Sequence, residues 1–142
     1  MCGHEAIIKG ALILHGYVTT CASTISQKAA LVAWTDEAMK AREGIRATFR
    51  KRRDHLLELI NSELGVRAVT PDGAFYTMVD ISAYGTSLDV AEGLLNYGVV
   101  TVPGSPFGKE SEGFLRVSFC GDIDKLTEGV RRMKAGLQTI AG

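Results

Sequence analysis

The sequence has no excess of charge, no cysteine pattern and no long apolar run. Sixteen basic residues balance sixteen acidic ones among 142, so no overall field favours nucleic acid or a membrane surface as a partner. The three cysteines are odd in number and far apart, which argues against a disulfide framework or a zinc site and favours a reducing cytoplasm. No stretch reaches the roughly 18 to 20 apolar residues that a membrane-spanning helix needs. We therefore expect one cytoplasmic domain whose partner is a small molecule or a protein.

The periodicity of the chain changes after Gly65. Before it, apolar spacing predicts a short helix over 5–15 and a long helical region over 24–63, bent near Trp34 to Glu37. After it, the pattern predicts strands at 74–81, 99–103 and 114–119, helices at 87–98 and 122–140, a Pro71-Asp72-Gly73 turn after a short strand, and Ser87 as a helix cap. This order predicts an α/β fold, a two-layer small domain in which helices cover a small mixed sheet, preceded by a long helix.

One charged residue, Arg116, interrupts the last predicted strand. Period-two alternation places Leu115 and Phe119 on one face of this strand and Arg116 on the other. Because a guanidinium keeps its charge on burial, either its face meets solvent or an acid such as Asp80 on a neighbouring strand pairs with it. Alternatively, Arg116 binds a substrate carboxylate, since its planar fork matches two oxygens. Composition alone favours the first interpretation.

Three other features have simpler explanations. The stretch VPGSPFGKESEG matches neither common phosphate-binding pattern, so we interpret it as a connecting loop near a site. The basic run at 50–55 is mixed with acids inside a predicted helix and indicates a solvated face. The histidines share no ligand spacing, and Cys21 and Cys120 are expected to be buried as small apolar groups. We predict no metal site.

Four stretches of the chain follow one another in a recognisable order. They are TTCASTISQKAAL at 19–31, PDGAFYTMVDI at 71–81, GVVTVPGSPFG at 98–108 and SEGFLRVSFCGDIDKLTEGVRRM at 111–133. Together they resemble the C-terminal part of the fold-type I, pyridoxal-phosphate-dependent aminotransferases of class I and II, the group that includes aspartate aminotransferase. The resemblance implies amino-group transfer between an amino acid and a 2-oxo acid, pyridoxal 5'-phosphate as cofactor of the full-length enzyme, and a homodimer.

The resemblance also implies two substrate-binding residues. Arg116 matches the arginine of the family's F-L-R-[IV]-S strand, which binds the substrate α-carboxylate. Phe75 matches the aromatic position of the G-[AG]-F-[YF] segment, which lines the substrate side of the site. With this resemblance, the carboxylate clamp becomes the favoured interpretation of Arg116.

One family feature is missing from this chain. The family joins its cofactor to a lysine that follows a serine and precedes an arginine by eight positions, and none of the seven lysines meets either condition. These lysines are Lys9, Lys28, Lys40, Lys51, Lys109, Lys125 and Lys134. We therefore expect residues 1–142 to be the C-terminal small domain with N-terminal helices over 1–64, without the large cofactor-binding domain. The chain alone is predicted to be inactive, with no catalytic or cofactor-binding residue of its own.

Other functions remain compatible with the sequence. The chain could be a stand-alone, non-catalytic module that binds a carboxylate or amino acid, or a dimerisation piece. It could also belong to a pyridoxal-phosphate lyase or synthase, because such enzymes use the same fold.

Overall fold

The structure is a computed structural model that describes residues 2–141, so the predicted domain's terminal residues Met1 and Gly142 lie outside it. The α-helices in these residues are α1 (Glu5–Val18), α2 (Thr24–Val32), α3 (Asp36–Leu59), α4 (Ser87–Leu95) and α5 (Ile123–Ile140). The strands are β1 (Tyr76–Asp80), β2 (Val102–Pro103) and β3 (Phe114–Ser118). A π-helical turn at Ile60–Leu64 and 3-10 turns at Ser105–Phe107 and Lys109–Ser111 complete the regular structure. The chain divides into two compact units, Met1–Gly44 and Ile45–Gly142.

The first unit holds α1, α2 and the beginning of α3. No side chain of α1 or α2 is buried within the described residues. The predicted break in the long helical region is confirmed, because α2 ends at Val32 and α3 begins at Asp36. Thr35 stabilises the break, since its hydroxyl accepts a hydrogen bond from the Ala38 backbone N–H at 3.3 Å.

The second unit is built around a three-stranded sheet of order β1-β3-β2 in the described part of the chain. The α/β class and the helix-covered sheet are confirmed, but the sheet is antiparallel rather than mixed: β3 is antiparallel to both neighbours. The reason is the connection through α4, which makes β1 and β2 run in the same direction without making them neighbours. Because β3 inserts between them, the unit is a split βαβ arrangement.

The hairpin predicted around Pro71 is confirmed in a reduced form. Its first strand is a single bridge between Ala68 and Val79. The two hydrogen bonds that form this bridge run from the Val69 N–H to the Met78 carbonyl at 2.9 Å and from the Asp80 N–H to the Arg67 carbonyl at 2.8 Å. The helix stop at Gly65 is also confirmed, because this residue adopts the left-handed backbone, with φ 65° and ψ 21°, that glycine favours at a helix end.

The core lies between one face of the sheet and the helices α3, α4 and α5. Its buried side chains include Leu56, Ile60, Val79, Ile81, Val90, Leu94, Leu115, Phe119, Val130, Met133 and Leu137. Helices α4 and α5 approach closely at Gly136, where a Cβ would lie 2.7 Å from Leu94 Cδ2. This packing occupies the Leu115 face of β3 and leaves the Arg116 face for other contacts.

The N-cap prediction for α4 is wrong by one residue. Thr86 is the cap, and its side chain accepts from the Asp89 N–H at 3.2 Å. Ser87 is instead the first helical residue, fully buried, and its side chain bonds elsewhere. Among residues 2–141, no helix combines the length and apolarity needed to cross a membrane.

Candidate functional site

Arg116 lies at the middle of the central strand, half-buried, on the sheet face opposite the core residue Leu115. Its partners in register on the neighbouring strands are Met78 and Val102, which are both apolar. In the described chain, no acidic side chain forms an ion pair with it. The strand therefore holds a half-buried positive charge that no ion pair within residues 2–141 neutralises, which leaves it available to an external anion.

The proposed pairing of Arg116 with Asp80 is wrong. The Asp80 carboxylate accepts hydrogen bonds from the Ser82 hydroxyl at 2.7 Å and from the Ser82 N–H at 3.1 Å. These bonds, with a smaller contribution from the Arg67 charge, lower the pKa of Asp80. Asp80 stands two register positions from Arg116 and is occupied locally, so it leaves the guanidinium available.

Two aromatic rings contact the guanidinium. The ring centroids of Tyr76 and Phe107 each lie 5.1 Å from Arg116 Cζ. At exposed sites such cation–π contacts contribute about 0.5 to 1 kcal/mol each. Rings hold a guanidinium through its π-system and leave its N–H edge able to donate to the two oxygens of a carboxylate.

Phe75 stands directly before β1 with its ring 50% exposed. Its carbonyl accepts from the Phe119 N–H at 2.9 Å and the Ser118 hydroxyl at 3.3 Å, so β3 holds the backbone at this point. The ring packs edge-on against Tyr76 at 5.5 Å between centroids. The chain enters this segment through Ala74 with φ 65°, a left-handed conformation that an alanine adopts at a cost of about 1 to 2 kcal/mol.

Phe75, Tyr76, Phe107 and Arg116 thus form one contiguous group, which we call the aromatic–arginine cluster. The structure brings together the two sequence-predicted site residues, Arg116 and Phe75, through the ring of Tyr76. The cluster presents a cation beside two half-exposed apolar rings. Chemically, it can bind an anion attached to an apolar group.

The loop that carries Phe107 uses its backbone donors internally. The Gly104 N–H donates to the Phe114 carbonyl at 2.8 Å, and the Phe107 N–H to the Gly104 carbonyl at 2.8 Å. The Ser105 N–H donates to the Ser87 hydroxyl at 3.2 Å. A phosphate cradle needs several backbone N–H groups directed at the ligand. The interpretation of this segment as a connecting loop near a site is therefore supported.

Glu112 fastens the end of this loop to the start of α4. Its carboxylate accepts from the Ser87 N–H at 2.7 Å and from the Ser87 hydroxyl at 3.0 Å. These bonds, led by the Ser87 N–H and joined by the Gly113 N–H, lower the pKa of Glu112. The N-terminal end of α4 carries the positive end of the helix dipole, which also favours a negative charge on Glu112.

Other candidate residues have structural partners. Arg52 donates to Asp122 at 2.7 Å and to the Cys120 carbonyl at 2.7 Å, so part of the basic run ties α3 to the start of α5. His55 hydrogen-bonds the Thr127 hydroxyl at 2.8 Å. The described residues contain no cluster of His, Cys, Asp and Glu suited to a metal ion. The expectation that Cys21 and Cys120 are buried is wrong, because both are exposed.

Sequence reasoning did not single out Tyr76, Phe107 or Glu112, and it assigned Ser87 only a role as a helix cap. Tyr76 adjoins the predicted Phe75, and its place on the Arg116 side of β1 follows from strand alternation once the register is known. Phe107 reaches Arg116 from a loop nine residues earlier, and no local pattern indicates such a contact.

In residues 2–141, no lysine is among the residues of the aromatic–arginine cluster, although Lys109 lies two residues after Phe107. Lys9 and Lys134 form ion pairs with Glu5 and Glu63. Lys28, Lys40, Lys51 and Lys125 lie on helices, and Lys109 begins the second 3-10 turn. The contacts of Arg116 described above are aromatic. Because none of the lysines follows a serine or precedes an arginine by eight positions, the residues of this chain do not by themselves fit a group that must be joined to a lysine in that pattern.

Comparisons with known proteins agree over most of the chain. The family model described as aminotransferase class I and II matches residues 1–133. A probable N-acetyl-LL-diaminopimelate aminotransferase of Bacillus subtilis is 42% identical over 133 residues, which is 90% of this chain and 33% of the relative. A probable aspartate/prephenate aminotransferase of Thermus aquaticus is 39% identical, over 96% of this chain and 36% of its own length.

Solved structures give the same result. The aromatic aminotransferase from Pyrococcus horikoshii superposes with a TM-score of 0.85 at 35% identity, over 94% of this chain and 36% of that one. Aspartate aminotransferase from Thermus thermophilus with maleate gives 0.81 at 37% identity, over 95% and 35%. This chain spans about a third of the length of the proteins it matches.

Proposed function

Because the chain belongs to the class I and II aminotransferases, we propose that it is the part of such an enzyme that binds the substrate carboxylate. The reaction is transfer of an amino group between an amino acid and a 2-oxo acid. Arg116 binds the α-carboxylate, and Phe75 lines the substrate side of the site. The observation that carries the proposal is the central-strand arginine, half-buried and without an acidic partner in the described residues.

The geometry of the cluster supports a carboxylate as the ligand. The in-plane donors of a guanidinium match two carboxylate oxygens better than a lysine ammonium does. The rings at 5.1 Å restrict the side chain, so less freedom is lost when the ligand binds. The Thermus thermophilus neighbour, which was solved with the dicarboxylate maleate, agrees with this ligand class.

In this proposal the chain supplies orientation rather than bond-breaking. Holding the carboxylate at Arg116 fixes one end of the substrate, while the exposed ring of Phe75 excludes water from its side. In the full-length enzyme, pyridoxal 5'-phosphate would be the cofactor and would supply stabilisation of negative charge at the substrate carbon. We propose that the lysine and the pocket for this cofactor are not supplied by residues 1–142, because none of their lysines matches the family's pattern, and that the chain alone is inactive.

Exposed apolar side chains support an assembly with further protein surface. Ile13, Tyr17 and Trp34 in the first unit are 67%, 86% and 77% exposed. Patches of this kind commonly mark interaction surfaces. We propose that the complete enzyme is a homodimer in which such side chains become buried.

A chimeric enzyme tests the function. The C-terminal third of the Thermus thermophilus aspartate aminotransferase is replaced by this chain, and bound cofactor absorbance verifies assembly. Arg116→Ala should lower kcat/KM by about 2 to 5 kcal/mol of transition-state binding, roughly 30-fold to several thousandfold, the range for losing one partner of a buried charge pair. Arg116→Lys should recover only part of this, because an ammonium cannot donate in the same bidentate way.

The matched control is Arg132→Ala, an arginine on α5 that pairs with Glu128 at 2.7 Å. Its kcat/KM should stay near the wild-type chimera. An Arg116→Ala chimera that assembles and keeps wild-type kcat/KM would disprove the assignment.

One observation favours a second candidate function. All four residues of the aromatic–arginine cluster lie within this chain, so a stand-alone carboxylate-binding module is feasible. Isothermal titration of the purified 142-residue chain with maleate distinguishes the candidates. Binding that Arg116→Ala abolishes would favour the module, whereas binding seen only in the chimera would favour the enzyme part.

A further inference from the structure

A hydrogen-bonded group at the start of α4 connects to the aromatic–arginine cluster without touching the arginine. Glu112 accepts from the Ser87 N–H and hydroxyl at 2.7 and 3.0 Å, and the Ser87 hydroxyl in turn accepts from the Ser105 N–H at 3.2 Å. Ser87 is fully buried. We call these three residues the Ser87 anchor.

The anchor fastens both ends of the loop that carries Phe107. Ser105 begins the 3-10 turn that ends at Phe107, whose ring lies 5.1 Å from Arg116 Cζ. Glu112 is at the other end of the loop and leads through Gly113 into β3, which carries Arg116. The loop is therefore tied at one point to the start of α4, and its ring is directed at the strand that follows it.

The turn inside the loop has little freedom to shift. A Cβ on Gly104 would lie 1.9 Å from the Ser111 carbonyl oxygen and 2.7 Å from that of Phe114. The Gly104 N–H also donates to the Phe114 carbonyl at 2.8 Å. Because the backbone within the turn is packed this tightly, Ser105 and Phe107 move together, so a shift of Ser105 on losing the anchor would also move the Phe107 ring relative to the guanidinium.

We propose that Ser87 and Glu112 are positioning residues that set the orientation of the Arg116 guanidinium through Phe107. The proposal rests on the proposed function, since orientation of Arg116 matters there for carboxylate binding. A guanidinium held by rings loses less side-chain freedom when it binds a ligand than one that moves freely. The anchor thus prepares the site for its ligand before the ligand arrives.

The test follows the Arg116 Nε–Hε resonance in the 15N-labelled 142-residue chain, assigned by its loss in Arg116→Lys. In the wild type the Tyr76 and Phe107 rings, 5.1 Å from Arg116 Cζ, should shift this proton away from the value of free arginine. Phe107→Leu should move the resonance towards the free value, and Phe107→Tyr should keep it near the wild type. Glu112→Gln and Ser87→Ala should also move it, although neither residue contacts Arg116.

Glu128→Gln is the matched control, because it makes the same chemical change at an exposed carboxylate on α5. It should leave the Arg116 resonance in place. The backbone amide spectrum of β1 and β3 verifies that each variant is folded. If Glu112→Gln unfolds the chain, the Ser87→Ala variant provides the test. An Arg116 resonance that does not move in a folded anchor variant overturns the proposal.

Maleate titration separates this proposal from the proposed function. Where the wild type binds maleate, the anchor variants should raise Kd by roughly two- to tenfold, the effect of one side chain that must be ordered on binding. A moved Arg116 resonance in Glu112→Gln, with no maleate response in any variant, upholds the positioning role and counts against carboxylate binding by this chain. A maleate response at Arg116 that Glu112→Gln and Ser87→Ala leave unchanged upholds carboxylate binding and overturns the positioning role.

Discussion

Replacing Gly104 by alanine perturbs the turn that carries Phe107 through one added methyl group. Gly104 has φ −75° and ψ −29°, which alanine adopts without strain, so only the space around the new Cβ matters. That Cβ would lie 1.9 Å from the Ser111 carbonyl oxygen and 2.7 Å from the Phe114 carbonyl oxygen. Both neighbours are backbone atoms, so no side chain can rotate away to relieve the overlap.

The cost combines two effects. Forcing a methyl group into a filled site costs about 1 to 3 kcal/mol. Moving the backbone to make room weakens the Gly104 N–H bond to the Phe114 carbonyl, which contributes about 0.5 to 1.5 kcal/mol. We expect the free energy of unfolding to fall by about 1.5 to 4.5 kcal/mol in total. For a unit of about 100 residues, each kcal/mol corresponds to a decrease in Tm of roughly 4 to 8 °C.

Gly129→Ala is the matched control for this measurement. Gly129 lies inside α5, and a Cβ built there has no heavy atom within 4 Å. Alanine should therefore stabilise the helix by about 0.5 to 1 kcal/mol. Thermal unfolding followed by far-UV circular dichroism should show Tm changes of opposite sign for the two variants. A Gly104→Ala chain that melts at or above the wild-type temperature, while Gly129→Ala behaves as expected, would refute the reasoning.

Three further predictions concern stability, pH and association. Leu115→Ala should lower the free energy of unfolding in urea by about 2 to 5 kcal/mol because Leu115 is fully buried, and a loss below about 1 kcal/mol would contradict the packing. Hydrogen bonds from Arg131 and then Arg132 lower the pKa of Glu128 from its usual 4.5 to about 2, so its stabilising contribution is present above 4.5 and lost as pH falls towards about 2. The difference in urea midpoint between wild type and Glu128→Gln should shrink over this interval, and a constant difference would count against it. The 142-residue chain should self-associate through its exposed apolar helices, with sedimentation and Trp34 fluorescence depending on concentration; a monomer at all concentrations would disagree.

Local pattern was sufficient for most elements of the fold. The break between α2 and α3, the stop at Gly65 and the face alternation of Arg116 against Leu115 were all predicted, because each depends on residues within a few positions. The prediction of a mixed sheet was wrong because β3 inserts between β1 and β2 and runs antiparallel to both. Which strands become neighbours is a long-range property that local pattern does not contain. The Ser87 cap was wrong because the acceptor that engages its side chain, the Glu112 carboxylate, lies 25 residues away in the sequence.

The candidate site was only partly predictable for the same reason. The motif match indicated Arg116 and Phe75, and the structure places them in one cluster. Whether Arg116 pairs with Asp80 or is left for an external anion depended on the hydrogen-bond partner of the Asp80 carboxylate. That partner is the neighbouring Ser82. The exposed Cys120 shows the converse case, in which an apolar residue type predicts burial but the chain has already left the core.

The sequence by itself determined the family, the helix periodicity and the identity of the charged residue on β3, because these are properties of residue types at short spacing. Tertiary structure alone decided that Arg116 has no acidic partner in the described chain and that Phe107 packs against it. It also decided that Ser87 binds Ser105 and Glu112, at the two ends of the loop that carries Phe107. These contacts join residues from different elements, and only the packing of the sheet against α4 and its loop brings them within bonding distance.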